Sequence, residues 1–202
     1  KSGIITDKHY DSIMEKVYWA DSVLLGPGLG RDVSTQKLIM KLFKNIKKPL
    51  VLDADGLFPF LNKFDLLNER EYPLIITPHF GELSQLTGEN KENIILSFSN
   101  FMTNLMKRFD GVCLVKQVPS CTFLRDNAIL NTSGNPGLAT AGTGDVLSGV
   151  IASLLAQGLC EFDATSMGAF LHGEAANLIV MEKGYRGQIA TDLIDAIPKI
   201  IK

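Results

Sequence analysis

The sequence lacks the features that mark membrane, secreted and nucleic-acid-binding proteins. No run approaches the roughly 18 consecutive apolar residues of a membrane span, and Lys1–Tyr10 has none of the regions of a signal peptide. The net charge of -2 provides no basic surface that would attract nucleic acid or an anionic membrane. We therefore expect no nucleic-acid or membrane partner, and a site that holds small molecules by local geometry.

Cysteine is also scarce. Cys113, Cys121 and Cys160 are odd in number and lack the CxxC spacing of a metal or redox pair. Reduced thiols in the protein core are the simpler interpretation, and they indicate a cytoplasmic location.

The chain does have the composition of one folded domain, because 46% of its 202 residues are hydrophobic and 21% are charged. Two apolar periodic segments, Val33–Ile46 and Glu92–Phe109, predict crossover helices. Short apolar runs alternate with these segments and predict buried strands: Ser22–Leu25, Leu50–Leu52, Leu74–Thr77 and Val112–Val115. This order predicts an α/β fold in three layers around a mostly parallel, doubly wound sheet.

The second half of the chain changes pattern. Cys121–Leu124 and Ala128–Leu130 flank a polar turn and predict an antiparallel hairpin at the sheet edge. Three helices are expected after it: Asp145–Gln157, Ala164–Met181 and Asp192–Ile197, the last capped by Thr191. Residues 1–202 are thus interpreted as one domain. Because the helical pattern Asp7–Trp19 opens the chain with no βα unit before it, we expect the domain to begin upstream of Lys1.

The segment Asn135–Asp145 carries most of the chemical information. It places three glycines and two threonines directly before an amphipathic helix, where small residues allow backbone N–H groups to approach an anion. Gly142, Thr143 and Gly144 are therefore candidates for an anion hole. Asp145 is the candidate general base, because a carboxylate there can accept a proton from a hydroxyl that attacks phosphorus. The alternative is that Asp145 only caps the helix.

Further candidate segments follow the ends of the predicted strands, where open α/β sheets bind ligands. Gly26–Gly30 follows the first strand but lacks the spacing of a P-loop or a dinucleotide fingerprint. Asp53 and Asp55 follow the second, where they would either bind magnesium through water or cap the next helix. His79 follows the third, at the same sheet edge, and is a candidate ligand contact.

Lys116 ends the fourth strand, so its ammonium group could meet a phosphate, although a solvated lysine is the alternative. His172 and Glu174 lie within an apolar helical pattern and are interpreted as mostly structural.

Several motifs occur in order between about Asp21 and the C-terminus: GPGLG, DADGL, TPHFGEL, NPGLATAGTGDVLSGVIASLLAQG and GYRGQIATDLIDAIP. Together they resemble the bacterial-type ADP-dependent NAD(P)H-hydrate dehydratases of the ribokinase-like superfamily. The GTGD motif alone indicates only the superfamily, whereas the TPHFGE segment and the residues around GTGD indicate the family.

The resemblance implies an ADP-dependent removal of water from hydrated NADH and NADPH, which gives AMP, phosphate and the restored cofactor. It implies that Gly30, His79 and Asp145 contact the hydrated nucleotide, and that Mg2+ screens the phosphates, with no metal ligand fixed by the sequence. The implied ADP contacts are Lys116, Gln117, Val118, Pro119, Ser120 and Gly144. The family usually has glycine after the lysine, so Gln117 and Pro119 depart from its pattern.

The family also begins with strands that have no match here, so roughly a third of the expected domain is missing, judged against larger α/β domains. We expect a homo-oligomer because an open sheet edge favours association, with an N-terminal segment or an NAD(P)H-hydrate epimerase as another partner. Two alternatives stay open. One is an ATP-dependent kinase of vitamin-precursor alcohols that uses the same Asp145, and the other is an inactive nucleotide-binding fragment.

Overall fold

The computed structural model describes residues 3–201, which form an α/β fold around one six-stranded sheet. The strands lie side by side in chain order, and their bounds are β1 Val23–Leu25, β2 Leu50–Leu52, β3 Leu74–Ile76, β4 Val112–Val115, β5 Ser120–Leu124 and β6 Asn127–Asn131. Strands β1 to β4 are parallel, and β5 and β6 continue the sheet as an antiparallel hairpin. The predicted strands and hairpin are therefore confirmed, with ends that shift by one residue.

Eight α-helices surround the sheet in the described part of the chain. Their bounds are α1 Tyr10–Trp19, α2 Val33–Asn45, α3 Phe80–Thr87, α4 Lys91–Leu96, α5 Phe98–Met106, α6 Thr143–Ala156, α7 Glu161–Lys183 and α8 Ala190–Ile200. Two predictions need correction. The expected helix Glu92–Phe109 is two helices, which meet at Ser97. Thr191 is not a cap, because α8 begins at Ala190, two residues before the predicted start, and Thr191 lies inside the helix. The N-cap is Ile189, whose N–H donates to the Asp192 carboxylate.

The alternation of side chains along the buried strands creates two apolar layers. In β2, Leu50 and Leu52 belong to the cluster that packs on α2, α3 and α5, whereas Val51 faces the cluster of α6 and α7. All three side chains are fully buried. A fully apolar strand of this kind is typical of a parallel sheet covered on both faces, so the three-layer prediction is confirmed.

The strand order does not reverse within residues 3–201, and the crossover segments that pack on β2 and β3 share one layer. The reversal of order that a doubly wound sheet has is therefore not among the described residues. The second layer is formed by α6 and α7, which follow the hairpin in the chain. The hairpin ends the parallel region of the sheet. The helices that follow it, α6 and α7, cover the face that the crossover segments leave open.

The cysteines and the helices bear on two other predictions. Cys113 and Cys121 are buried free thiols as predicted, and burial raises the pKa of Cys113 well above its ordinary value. Cys160 is also free but exposed at the start of α7, so it is not a core residue. No helix within residues 3–201 combines the length and apolarity that crossing a membrane requires.

Helix α7 packs tightly on the segment that precedes α6. A Cβ atom added to Gly173 would lie 2.1 Å from Ser133 Oγ and 2.6 Å from the Ser133 carbonyl carbon. Any side chain at Gly173 would therefore push the segment away from the helix.

We expect Gly173→Ala to lower the free energy of unfolding by about 1–3 kcal/mol, because the added methyl group overpacks a contact with backbone atoms. Gly149→Ala is the matched control, since a Cβ on this glycine of α6 meets nothing within 4 Å. There the change should stabilise by up to about 1 kcal/mol through helix propensity. Urea denaturation of both variants checks the pair, and equal effects of the same sign would contradict the packing.

Candidate active site

The carboxyl ends of the four parallel strands bring the predicted motifs to one edge of the sheet. Gly26–Gly30 follows β1, Asp53–Gly56 follows β2, and Thr77–Glu82 follows β3. Lys116 follows β4 and pairs with His79 as an isolated parallel bridge, in which the Lys116 N–H donates to the Pro78 carbonyl at 2.9 Å. Residues far apart in the chain therefore meet at this edge.

A buried ion pair joins two of these strand ends. Lys116 Nζ lies 2.5 Å from Asp53 Oδ1, and the Asp53 side chain has no exposed surface. Ser148 of α6 donates its hydroxyl to the other oxygen of Asp53 at 2.6 Å. The Ala54 N–H donates to Oδ1 at 2.8 Å. Both carboxylate oxygens are thus occupied, and the pair connects β2, β4 and α6.

Asp55 makes a different set of contacts. Its two oxygens accept the Gly30 N–H and Arg31 Nε, each at 2.9 Å. The Gly30 carbonyl in turn accepts from Gln36 Nε2 at 2.9 Å. These bonds fix the peptide groups of Gly30, which has a φ of +82° and is exposed. Both aspartates are occupied by protein donors, which favours the structural interpretation over direct magnesium binding.

His79 combines a capping role with exposure to the site. It is the N-cap of α3, where Nδ1 accepts the Glu82 N–H at 3.1 Å and the Glu82 carboxylate accepts the His79 N–H at 2.9 Å. Because Nδ1 is an acceptor, Nε2 is the ring nitrogen that can donate, and its neighbour is the Glu82 carboxylate at 3.6 Å. Half of the imidazole remains exposed beside Lys116 and can meet a ligand.

The segment before α6 presents unpaired amides, as the anion-hole prediction requires. Gly142 has a φ of +87° and is the N-cap of the helix. The Thr143 N–H is already used, since it donates to the Thr140 carbonyl at 3.3 Å. The N–H groups of Gly142, Gly144 and Asp145 have no partner within residues 3–201. The free donors are therefore these three, at the positive end of the helix dipole.

Asp145 is the third residue of α6 and is exposed. Its carboxylate makes no hydrogen bond or ion pair with any described residue, so it does not cap the helix, where Gly142 is the N-cap. A carboxylate at a helix N-terminus is stabilised by the dipole. This one is left free to contact a ligand and to accept a proton.

A cavity of about 420 Å³ lies between this helix start and the hairpin. Its size is typical of sites for nucleotide-sized ligands. Seven of the predicted site residues line it: His79, Lys116, Gln117, Val118, Ser120, Thr143 and Gly144. Pro119, Gly142, Asp145 and Gly30 are not among the lining residues, although Asp145 directly follows Gly144. The predicted residues therefore divide into seven that line the cavity and four that do not.

Two contributing residues were missed by the sequence reasoning. Ser148 is fully buried against Asp53. The sequence indicated it only as a serine on the apolar face of a helix, four residues after Gly144 and therefore on the same side. His172 was interpreted as structural, yet it lines the cavity and its Nε2 lies 2.9 Å from the Thr143 carbonyl. No sequence signal distinguished this histidine from one in the core.

Comparisons with known proteins identify the family of the chain. A family model described as NAD(P)H-hydrate dehydratase matches residues 3–199. The chain belongs to the NAD(P)H-hydrate dehydratase family. Over 202 residues it is 36% identical to the bifunctional NAD(P)H-hydrate repair enzyme Nnr of Thermofilum pendens. The aligned region covers 100% of this chain and 38% of that protein. The family member described here thus spans well under half the length of the curated relatives it matches.

Solved structures show the same fold. The ADP/ATP-dependent NAD(P)H-hydrate dehydratase of Bacillus subtilis, co-crystallised with ATP/Mg2+ and soaked with CoA, has a TM-score of 0.78 at 27% identity, covering 92% of this chain and 69% of that one. A ribokinase-like superfamily protein of Enterococcus faecalis has the same TM-score and identity, covering 96% and 67%. The ribokinase-like prediction is confirmed.

The buried histidine makes the stability of the folded protein depend on pH in a way that can be measured. Burial lowers the pKa of His172 to about 4 from 6.5, against the opposing effect of its hydrogen bond to Thr143. The folded state therefore holds His172 neutral, with Nε2–H as the donor, while the unfolded chain takes up a proton below pH 6.5. The stabilisation is present in full above the pKa that His172 has in the unfolded chain. It is lost as the pH falls toward the pKa that His172 has in the folded protein.

We expect the free energy of unfolding to fall between about pH 6.5 and 4, with His172 contributing up to about 3 kcal/mol of the loss. His172→Gln keeps a neutral donor and should show a smaller loss over that range. Urea denaturation of both proteins at pH 7, 5.5 and 4.5 measures the difference. Parallel curves for the two proteins would contradict a buried neutral histidine.

Proposed function

We propose that the chain catalyses the ADP-dependent dehydration of hydrated NADH and NADPH, releasing AMP and phosphate. One observation carries the proposal: the unpaired Asp145 carboxylate stands beside free helix amides, at the border of a cavity lined by Lys116. Anion donors, a cation and a free base in one place are the parts that phosphoryl transfer needs. The B. subtilis relative is named ADP/ATP-dependent, which supports ADP as co-substrate.

The nucleotide would lie in the cavity beside the hairpin. Lys116–Ser120 would contact ADP along one wall, where the Val118–Pro119 peptide bond is cis. Gly144 would meet the β-phosphate, because a Cβ placed there would lie 3.6 Å from Lys116 Nζ. The Lys116 ammonium thus lies next to Gly144, and a cation beside a free helix amide suits a phosphate group.

The hydrated dinucleotide would bind next to ADP, against His79 of the cavity lining and against Gly30 and Asp145 outside it. Since the Gly30 N–H and carbonyl are already bonded within the protein, the contact of Gly30 would come from its exposed backbone surface. His79 Nε2 would donate to the ligand. This arrangement leaves the hydroxyl of the hydrate between Asp145 and the β-phosphorus of ADP.

The reaction would proceed in two steps. First, Asp145 accepts the proton of the hydroxyl of the hydrate while the hydroxyl oxygen attacks the β-phosphorus of ADP. The bond from the β-phosphorus to the bridging oxygen breaks, and AMP leaves. Amides of Gly142, Gly144 and Asp145 with Lys116 stabilise the charge on the transferred group. The ring nitrogen then donates its electron pair, the carbon–oxygen bond breaks, and phosphate leaves. Loss of a proton from the neighbouring carbon restores the double bond.

Mg2+ would supply charge screening for the phosphate oxygens when bound. The residues fit an ion held mainly through phosphates and water, because Asp53 and Asp55 are occupied by protein donors. No group of three metal-ligating side chains occurs in the part of the chain that the structure describes.

The remaining expectations concern partners and location. The curated relatives are bifunctional repair enzymes, so we propose that this chain acts together with an NAD(P)H-hydrate epimerase. Outer strands β1 and β6 each have one neighbour among the described strands, and such edges favour a homo-oligomer. Free cysteines are consistent with a cytoplasmic location.

The direct test incubates the protein with hydrated NADH, magnesium and either ADP or ATP. We expect ADP-dependent return of the absorbance of reduced nicotinamide, with one AMP formed per NADH restored. ATP consumption with ADP as product and no restored cofactor would support the kinase alternative. Binding of ADP with no consumption would support an inactive fragment.

Asp145→Asn should reduce turnover by about 10²–10⁴-fold, the usual contribution of a general base, while ADP affinity stays near that of the unchanged protein. The amide has the same shape but cannot accept the proton. Asp126→Asn is the control, since it removes the same charge from an exposed turn of the hairpin. Steady-state kinetics and calorimetry measure the two effects, and a joint loss of binding and turnover would indicate a structural role.

Gly144→Val should weaken ADP binding by about tenfold or more, because a branched side chain fills the volume between the helix start and Lys116. Gly149→Val places the same side chain on the same helix where a Cβ meets nothing within 4 Å. Calorimetric titration with ADP compares the two variants. Unchanged affinity in Gly144→Val would place the phosphate elsewhere.

A further inference from the structure

Two aspartates of one short turn face different parts of the site. Asp53 and Asp55 are separated only by Ala54, which has a φ of +49° and sends the two side chains apart. The turn lies against the strand-end loop before it with no free space, since a Cβ on Gly26 would lie 1.7 Å from the Asp53 carbonyl oxygen. A rigid turn therefore carries two carboxylates with separate contacts.

Asp53 serves the side where ADP is proposed to bind. It contacts Lys116 Nζ at 2.5 Å and the Ser148 hydroxyl at 2.6 Å. Its two oxygens are each held, so the carboxylate cannot rotate without breaking a bond. The Lys116 ammonium is thereby kept next to Gly144 rather than extended into solvent, as a lysine side chain with four rotatable bonds otherwise would be.

Asp55 serves the side where the hydrated dinucleotide is proposed to bind. Its oxygens bind the Gly30 N–H and Arg31 Nε, and the Arg31 guanidinium also stacks on Phe58 at 5.0 Å from the ring centroid. No described contact links Asp55 to Lys116 or to α6. Its carboxylate therefore fixes the loop after β1 alone.

We propose that these two aspartates are positioning residues with divided roles: Asp53 sets the affinity for ADP by holding Lys116, and Asp55 sets the affinity for the hydrated dinucleotide by holding Gly30. The inference rests on the proposed function and deepens it. Neither aspartate contacts a reacting atom, so each acts through the residue that it holds.

The effect that Asp53 has on ADP binding by positioning Lys116 can be separated from the effect of its negative charge. If only the electrostatic field mattered, removing this negative charge would tighten the binding of the anionic ADP. If position matters, Asp53→Asn weakens ADP binding by about tenfold, because a charge-assisted hydrogen bond to Lys116 is lost. Ser148→Ala keeps the charge of Asp53 and only frees its carboxylate, so it should weaken ADP binding in the same direction and by less.

The test measures dissociation constants for ADP and for hydrated NADH by calorimetry, separately and without turnover. Asp53→Asn and Ser148→Ala should weaken ADP binding alone, and Asp55→Asn should weaken binding of hydrated NADH alone, by about tenfold. In a Lys116→Met background, Asp53→Asn should have no further effect on ADP. Each aspartate variant serves as the control for the other.

Three results would overturn the inference: tighter or unchanged ADP binding in Asp53→Asn and Ser148→Ala, an equal effect of either aspartate on both ligands, or an undiminished effect of Asp53→Asn without Lys116. Should Asp53→Asn fail to fold, Ser148→Ala decides the ADP half. Binding is independent of chemistry, so absence of turnover in the unchanged protein contradicts the proposed function while leaving these comparisons intact.

Discussion

A carboxylate without exposed surface is the constraint on which the site depends. Burying the charge of Asp53 is costly unless a cation and hydrogen-bond donors replace water. Lys116, Ser148 and the Ala54 N–H supply them from the end of β4, from α6 and from the turn itself. These contacts tie the edge of the sheet to α6, and removing any of these partners leaves a buried charge incompletely compensated.

The same requirement gives the site its chemistry. Because Ser148 must reach Asp53, the first turn of α6 is held against the sheet edge, and Gly144 comes next to the Lys116 ammonium. The unpaired amides of this turn and the free Asp145 then border one cavity with a cation at its side. Stability and the proposed phosphate binding would thus depend on the same contacts, so a chain of net charge -2 would hold an anion by local geometry.

Local patterns made much of this predictable. Buried strands such as Leu50–Leu52 have no polar residue, and a glycine-rich segment before an amphipathic helix indicates an anion site from the sequence alone. Contacts between distant residues were not predictable: nothing in the sequence joins Asp53 to Ser148, 95 residues apart. The break in the helix at Ser97 was also missed, as was the local turn in which the Thr143 N–H donates to the Thr140 carbonyl. Helix propensity alone specifies neither feature.

The most direct test of the account follows the oxygen atom of the substrate. Hydrated NADH labelled with ¹⁸O in its hydroxyl group, incubated with the protein, ADP and magnesium in ordinary water, should release phosphate that carries the label, because that oxygen attacks the β-phosphorus and leaves with it. Mass spectrometry of the phosphate reads the outcome. Unlabelled phosphate with the label in solvent water would mean that ADP is hydrolysed separately, and would contradict the assignment of Asp145 as the base that activates the hydroxyl.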